Sequence, residues 1–164
     1  MLFRSNVEML VGDKVNYLNG LAGPGTSGPE TYTQLFDKNV NTKLCTGDND
    51  TAIVFAIDDK VNTFSIVGMS LMGANDDQSY GGRVPKKFTL YGTTNENASP
   101  DGEYWSPILS VEETPTGVNY GERYFAFEEE STYRYYMLVM ENGEMYQISE
   151  IIFYVEKGAW AVTQ

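Results

Sequence analysis

The feature that most limits what this chain can become is a period of two with no competing helical period. From Thr51 to Ile57 the large Ile53, Phe55 and Ile57 alternate with Ala52, Val54 and Ala56. Both sets are apolar, so this strand belongs between two apolar layers. Further strands are predicted over Thr63 to Met72, Lys87 to Tyr91, Glu122 to Phe127, Tyr133 to Glu141 and Ile148 to Val155. Clusters of Gly, Pro, Asn and Asp separate these runs, and no amphipathic helix intervenes. Asp58-Asp59-Lys60 and Glu128-Glu129-Glu130 read as solvated turns, and Gly20 to Pro29 as a long surface loop. The pattern predicts an all-β chain folded as an antiparallel sandwich. At 164 residues it fits one domain with a substantial core.

Charge and composition narrow the function classes. There are 23 acidic against 11 basic residues, a net charge of −12, and no histidine. An acidic chain without a basic stripe argues against nucleic acid and anionic membranes as partners. The missing histidine removes every nucleophile–histidine pair. Asp58-Asp59 and Asp76-Asp77 sit at turn positions, and no phosphate-cradling glycine loop precedes a helix, so no enzyme activity is expected. The single cysteine, Cys45, excludes an internal disulfide. Met1 to Leu10 lack an apolar run behind a basic start, so no signal peptide is expected there. No apolar run reaches membrane-spanning length.

Two places could carry a ligand for physical reasons. Gln34 to Cys45 packs Asp37, Asn39, Asn41 and Thr42 close together. Oxygens so spaced on a curled loop suit a hard cation, or an Asx-rich turn that satisfies its own backbone. In the last predicted strand, alternation puts Glu150 on one face with Ile148, Ile152 and Tyr154. A carboxylate there needs a partner or a proton. A Lys or Arg would serve, and so would a cation shared with Asp37.

Three stretches carry a family resemblance. "LFDKNVNTKLCT" is similar to the "LFDG-N-x-x-T-K-W-C" signature of discoidin domains, also called coagulation factor 5/8 type C domains, of the galactose-binding-like superfamily. "FSIVGMSLMGANDDQSYGGRVPKKFTLYGTTN" resembles that family's strand, "ND" loop, "R-x-P-K" turn and "LYG" strand. "YRYYMLVMENGEMYQISEIIFYV" resembles its closing strands with "Q-x-S-E-I". The match runs roughly from Ser27 to Val155 and extends to family 32 carbohydrate-binding modules.

The resemblance implies a jelly-roll sandwich of about eight strands, with Trp105 in the core. It implies one module of a longer secreted, bacterial-type protein, acting outside the cell. It also implies a structural calcium ion: Gln34 gives a carbonyl, Asp37 a carboxylate, Asn39 an oxygen, Thr42 its carbonyl and hydroxyl, Ser149 a carbonyl and Glu150 a carboxylate. Ligands in this family sit in the loops at one end of the sandwich, here Cys45 to Asp50, Gly73 to Arg83 and Asn142 to Gln147, with part of Gly23 to Thr33. These offer Asn75, Asp76, Gln78, Tyr80, Arg83, Met145 and Tyr146. Arg83 has a competing role, pairing with Asp76 or Asp77 to pin its loop.

The sequence departs from the galactose-binding pattern. Leu44 stands where the motif has Trp, Cys45 where it has His, and Met72 and Gly81 near its Arg and Asn. The expected function is non-catalytic carbohydrate binding that targets a linked enzyme or adhesin to a glycan. The alternative is a protein-binding adhesion module on the same fold.

Overall fold

The computed structural model describes residues 7–9, 17–22, 30–47, 51–57, 65–97, 99 and 101–156. The Asp58-Asp59-Lys60 turn and residues 23–29 of the first loop lie outside them, as do residues 48–50 of the next. Eleven strands occur among the described residues: β1 (Val7–Met9), β2 (Tyr17–Ala22), β3 (Leu44–Thr46), β4 (Thr51–Ile57), β5 (Ile66–Met72), β6 (Lys87–Thr93), β7 (Ser106–Glu112), β8 (Glu122–Ser131), β9 (Tyr135–Glu141), β10 (Tyr146–Ile148) and β11 (Glu150–Glu156). They pair antiparallel in sheets of order β1-β11-β5-β8 and β2-β4-β9-β6-β7, with β10-β3 as a separate two-stranded ribbon. The all-β sandwich predicted from alternation is the architecture observed. Eleven strands stand where the resemblance implies about eight; β1, β3 and β10 are short pieces of three residues each.

The core lies between the two large sheets. Ile53 and Phe55 of β4, Phe88 and Leu90 of β6, and Tyr136, Leu138 and Met140 of β9 face Met69 and Leu71 of β5 and Ile151, Phe153 and Val155 of β11. Phe55, Tyr136 and Phe153 form its aromatic centre, with ring centroids 5.1–5.8 Å apart. Val54 and Ala56, on the opposite face of β4, are also buried, which is the double burial the sequence pattern requires. A register shift between Ile66 and Gly68 lets both Ile66 and Met69 face the core, as a bulge does.

Three expectations change. Glu128-Glu129-Glu130 belong to β8 and not to a turn. The pairing with β5 jumps from Gly68–Ala126 to Ile66–Ser131, so the acidic run arches out of register while Phe127 and Ser131 remain buried. The predicted strand Ile148 to Val155 is broken at Ser149, whose N–H donates to the Met72 carbonyl at 2.9 Å. Ile148 therefore joins the core while Glu150, on the face of Ile152 and Tyr154, does not. Trp105 is not a core residue: it precedes β7, half-buried, with its indole N–H donating to the Ser99 carbonyl at 2.8 Å.

One end of the sandwich gathers the loops. Lys87 lies level with Glu112 and Glu141, and Thr51 with Met140. Met72 lies level with Glu122 and Glu150 in the other sheet. The connections 73–86, 113–121 and 142–145 therefore emerge side by side.

The 3₁₀ turn Tyr32–Phe36 is fastened beneath this framework by Leu35, which has no exposed surface, and by Phe36, 4.9 Å from the Phe55 ring. Leu35→Ala is expected to cost about 2–5 kcal/mol, read as a lower urea midpoint with an unchanged slope.

Candidate functional site

Anchoring of Leu35 and Phe36 in the core fixes where the next residue goes. Asp37 leaves the turn and meets Glu150, the first residue of β11, so that their carboxyl groups share a hydrogen bond. The Asn39 N–H bridges the pair, donating to Asp37 Oδ1 at 2.9 Å and to Glu150 Oε1 at 3.1 Å. Lys38 makes this possible by taking a left-handed conformation, φ 61°. The Thr42 hydroxyl lies against Asp37 Oδ2 and 2.9 Å from the Asn39 carbonyl oxygen. Asn39 Oδ1 accepts the Asn41 N–H at 3.0 Å, an Asx turn. The turn satisfies its own backbone, as an Asx-rich turn does, and Asp37 also meets Glu150.

Glu150 is 5% exposed. Burial, the Asp37 hydrogen bond and the Asp37 charge push its carboxyl up to about 9. Burial acts to raise Asp37 as well, but hydrogen bonds from Glu150, Thr42 and Asn39 outweigh it and hold Asp37 below the usual range. One carboxyl of the pair keeps a proton near neutral pH because two like charges in contact cannot both ionise. Ser149 is close by in sequence but committed, its hydroxyl donating to the Gly73 carbonyl at 3.0 Å. Gln34 sits in the 3₁₀ turn with its N–H on the Thr31 carbonyl.

A second polar cluster locks the loops together. Lys43 Nζ lies 2.8 Å from both Asp76 carboxylate oxygens. Gln147 Nε2 donates to Asp76 Oδ1 at 3.0 Å and to Asp77 Oδ1 at 2.6 Å. Burial would raise Asp76, yet Lys43 and Gln147 hold it below the usual carboxylate range. Burial wins at Asp77, which is 2% exposed and raised. Asp76 is therefore engaged within the protein, and Arg83 pairs with neither aspartate. The Arg83 guanidinium lies over the Tyr80 ring, 4.2 Å from its centroid. Lys43 and Gln147 were not singled out in the sequence because their partners lie in distant loops.

The remaining ligand candidates divide. Tyr80 is 46% exposed, whereas Tyr146 is 2% exposed, with its hydroxyl accepting the Gly143 N–H at 2.8 Å. Tyr146 offers no open ring face, because β10 turns it inward against the core. Asn75 and Gln78 are exposed; Asn75 lines a cleft of about 300 Å³ with Lys43 and Asp76. A larger open cleft, about 760 Å³, lies between Gly81–Lys86, Thr114–Pro115 and Asn142–Tyr146. It contains Arg83, Lys86, Glu144 and Met145. Lys86 belongs to the "R-x-P-K" turn, a signal read for its shape and not for its charge.

No protein-family model matches the sequence, and no curated protein matches it. Solved structures do. The F5/8 type C domain of a Bacteroides fragilis protein aligns with a TM-score of 0.66 at 11% identity, over 93% of this chain and 98% of that one. The family 32 carbohydrate-binding module of C. perfringens NanJ, solved with galactose, gives 0.64 at 10% identity, over 90% and 98%. This chain has the discoidin-type fold. Another match spans two family 32 modules and the M60 catalytic domain of C. perfringens ZmpB, with a TM-score of 0.61 at 17% identity over 94% of this chain and 15% of that one. Identities this low carry the fold and no more.

On the discoidin-type scaffold, the departures from the galactose pattern have a packing basis. Leu44 has no exposed surface and belongs to the core. Cys45 is half-buried, its thiol pushed up by burial and the Glu30 charge. The Cys45 thiol is a weaker hydrogen-bond donor than the histidine ring that the galactose pattern has there.

The carboxyl pair gives the cation-free protein a defined pH response. Glu150 keeps its proton up to about 9 when folded and loses it near 4.5 when unfolded. The folded state thus holds more protons across that window, and stability falls as pH rises through it. Asp37, held low, acts in the opposite sense below pH 3.8. Urea unfolding of chelator-treated protein at several pH values is expected to show the decline from mildly acidic to alkaline pH, and Glu150→Gln to flatten it.

Proposed function

We propose that this chain is a non-catalytic carbohydrate-binding module, stabilised by calcium, that brings a linked enzyme or adhesin to a glycan outside the cell. The observation that carries the reading is the open 760 Å³ cleft at the loop end of a sandwich with the discoidin-type fold. Its size is within the range of small-ligand sites. Arg83, Lys86 and Glu144 supply polar groups for hydroxyls, and Met145 and Pro115 an apolar wall for the C–H face of a pyranose. Several neighbours of similar fold are named as binders of sugars: galactose, chitosan and an unsaturated mannuronic acid. Two are joined to catalytic domains, which supports a targeting role raising local substrate concentration.

The non-catalytic part has a geometric argument. Paired carboxyls in glycoside hydrolysis stand about 5–9.5 Å apart. Asp37 and Glu150 are in direct hydrogen-bonding contact, and Asp76 and Asp77 are held by Lys43, Gln147 and the Ala74 N–H.

Calcium fits the residues present. Glu150 is a buried carboxyl whose nearest charge is another carboxylate, and a cation would neutralise both without a proton. The donors are all oxygens, which suits calcium. Among the described residues no group of three or more His, Cys, Asp or Glu surrounds the pair. The remaining ligands would therefore be neutral oxygens: the carbonyls of Gln34, Thr42 and Ser149, an Asn39 oxygen and the Thr42 hydroxyl. The ion's role would be structural, tying the Asp37 turn to β11.

Two measurements test the proposal. Calcium at about a hundredfold over its Kd is expected to raise the melting temperature of chelator-treated protein by about 5–10 °C. Asp37→Asn should abolish that rise. On a glycan array the folded protein should bind a restricted set of sugars, and Tyr80→Ala and Met145→Ala should weaken binding. Silence of the folded protein across the array would favour a protein partner.

A further inference from the structure

The charge of the cleft runs against the charge of the chain. Among the described residues Arg83 and Lys86 line it with Glu144 as their one acidic companion, on a chain of net charge −12. Two other cations are taken up by ion pairs within the protein: Lys43 with Asp76 at 2.8 Å and Arg123 with Glu113 at 3.0 Å. Arg83 is different. Among the described residues its guanidinium is paired with no carboxylate and rests over the Tyr80 ring at 4.2 Å. A guanidinium held by its face is pre-ordered but keeps its charge and its in-plane fork of N–H donors. That fork matches the two oxygens of a carboxylate or a sulfate. The backbone reinforces the placement, since the Arg83 N–H donates to the Tyr80 carbonyl at 2.9 Å and closes the short 3₁₀ turn Gly81–Arg83.

The geometry points to an acidic saccharide as the ligand of this cleft, its anionic group held by the Tyr80-backed Arg83 with Lys86 alongside. This deepens the glycan-binding reading of the same cleft and rests on it. A neutral sugar would use the apolar wall and the hydroxyl partners but leave the two cations unmatched. An acidic one adds charge-assisted hydrogen bonds at a point where an acidic protein would otherwise repel it. Arg83 is thus the specificity determinant, and Tyr80 its positioning residue.

The test titrates the full chain calorimetrically with three probes of equal length: an oligogalacturonate, a sulfated galacto-oligosaccharide and its neutral counterpart. At low salt at least one acidic probe is expected to bind about tenfold or more tighter than the neutral one. That advantage should shrink as ionic strength rises. Arg83→Gln should bring the acidic-to-neutral ratio close to one, and Lys86→Gln should lower it less. Melting temperatures confirm that each variant is folded. Preference for the uronate or for the sulfate identifies which anion the fork takes, and either supports the proposal. Equal binding of acidic and neutral probes, or a ratio unmoved by Arg83→Gln, overturns it while the glycan reading stands. No binding of any probe by folded protein also overturns it, and the array result then judges the glycan reading separately.

Discussion

The structure turns on a contact that is unfavourable unless something neutralises it: two carboxyl groups, Asp37 and Glu150, held against each other at the start of β11. Neither can move away. Glu150 is fixed by its pairing with Met72 in the sheet, and Asp37 by Leu35 and Phe36, which are packed into the core just before it. The backbone N–H of Asn39, donated to both, offsets part of the repulsion. The rest falls to a proton or a cation. A rigid apolar scaffold thereby creates an electrostatic demand, and the response to that demand couples an early turn to the last strand.

The loops at the same end are ordered by a different means. Lys43, Asp76, Gln147 and Asp77 form a continuous polar chain that joins two loops to β10. Buried polar networks of this kind are costly when half-satisfied and rigidifying when complete. Here the buried Asp77 is satisfied on both oxygens, by Gln147 and by the Ala74 N–H. Gly117 closes the cluster from above: a Cβ there would stand 2.8 Å from the Asp77 carbonyl oxygen. The connection 113–121 can therefore lie directly on the 73–86 connection, and together they form one wall of the large cleft.

Division of labour follows from these two devices. Asp76, Asp77 and Lys43, beside the β10-β3 ribbon, are partnered inside the protein and define loop shape. Arg83 and Lys86 stand just beyond, on a turn that the cluster holds still. A binding surface of this type needs little from its own side chains to become ordered, since the sheets and the polar chain have already fixed the backbone.

The sequence alone determined the all-β class, the doubly buried β4 and the closeness of Asp37, Asn39 and Thr42 along one turn, because each follows from local alternation or local turn chemistry. Resemblance in three short motifs joined that turn to Glu150. Tertiary structure decided the rest. The break at Ser149 swings Ile148 into the core, the bulge in β8 absorbs the acidic run, and β10 turns Tyr146 inward. It also decided that Asp76 goes to Lys43 and that Arg83 goes to a tyrosine ring. Partner choice among charged side chains depends on which loops the sheet register brings together, and that register is fixed by long-range packing that no local pattern encodes.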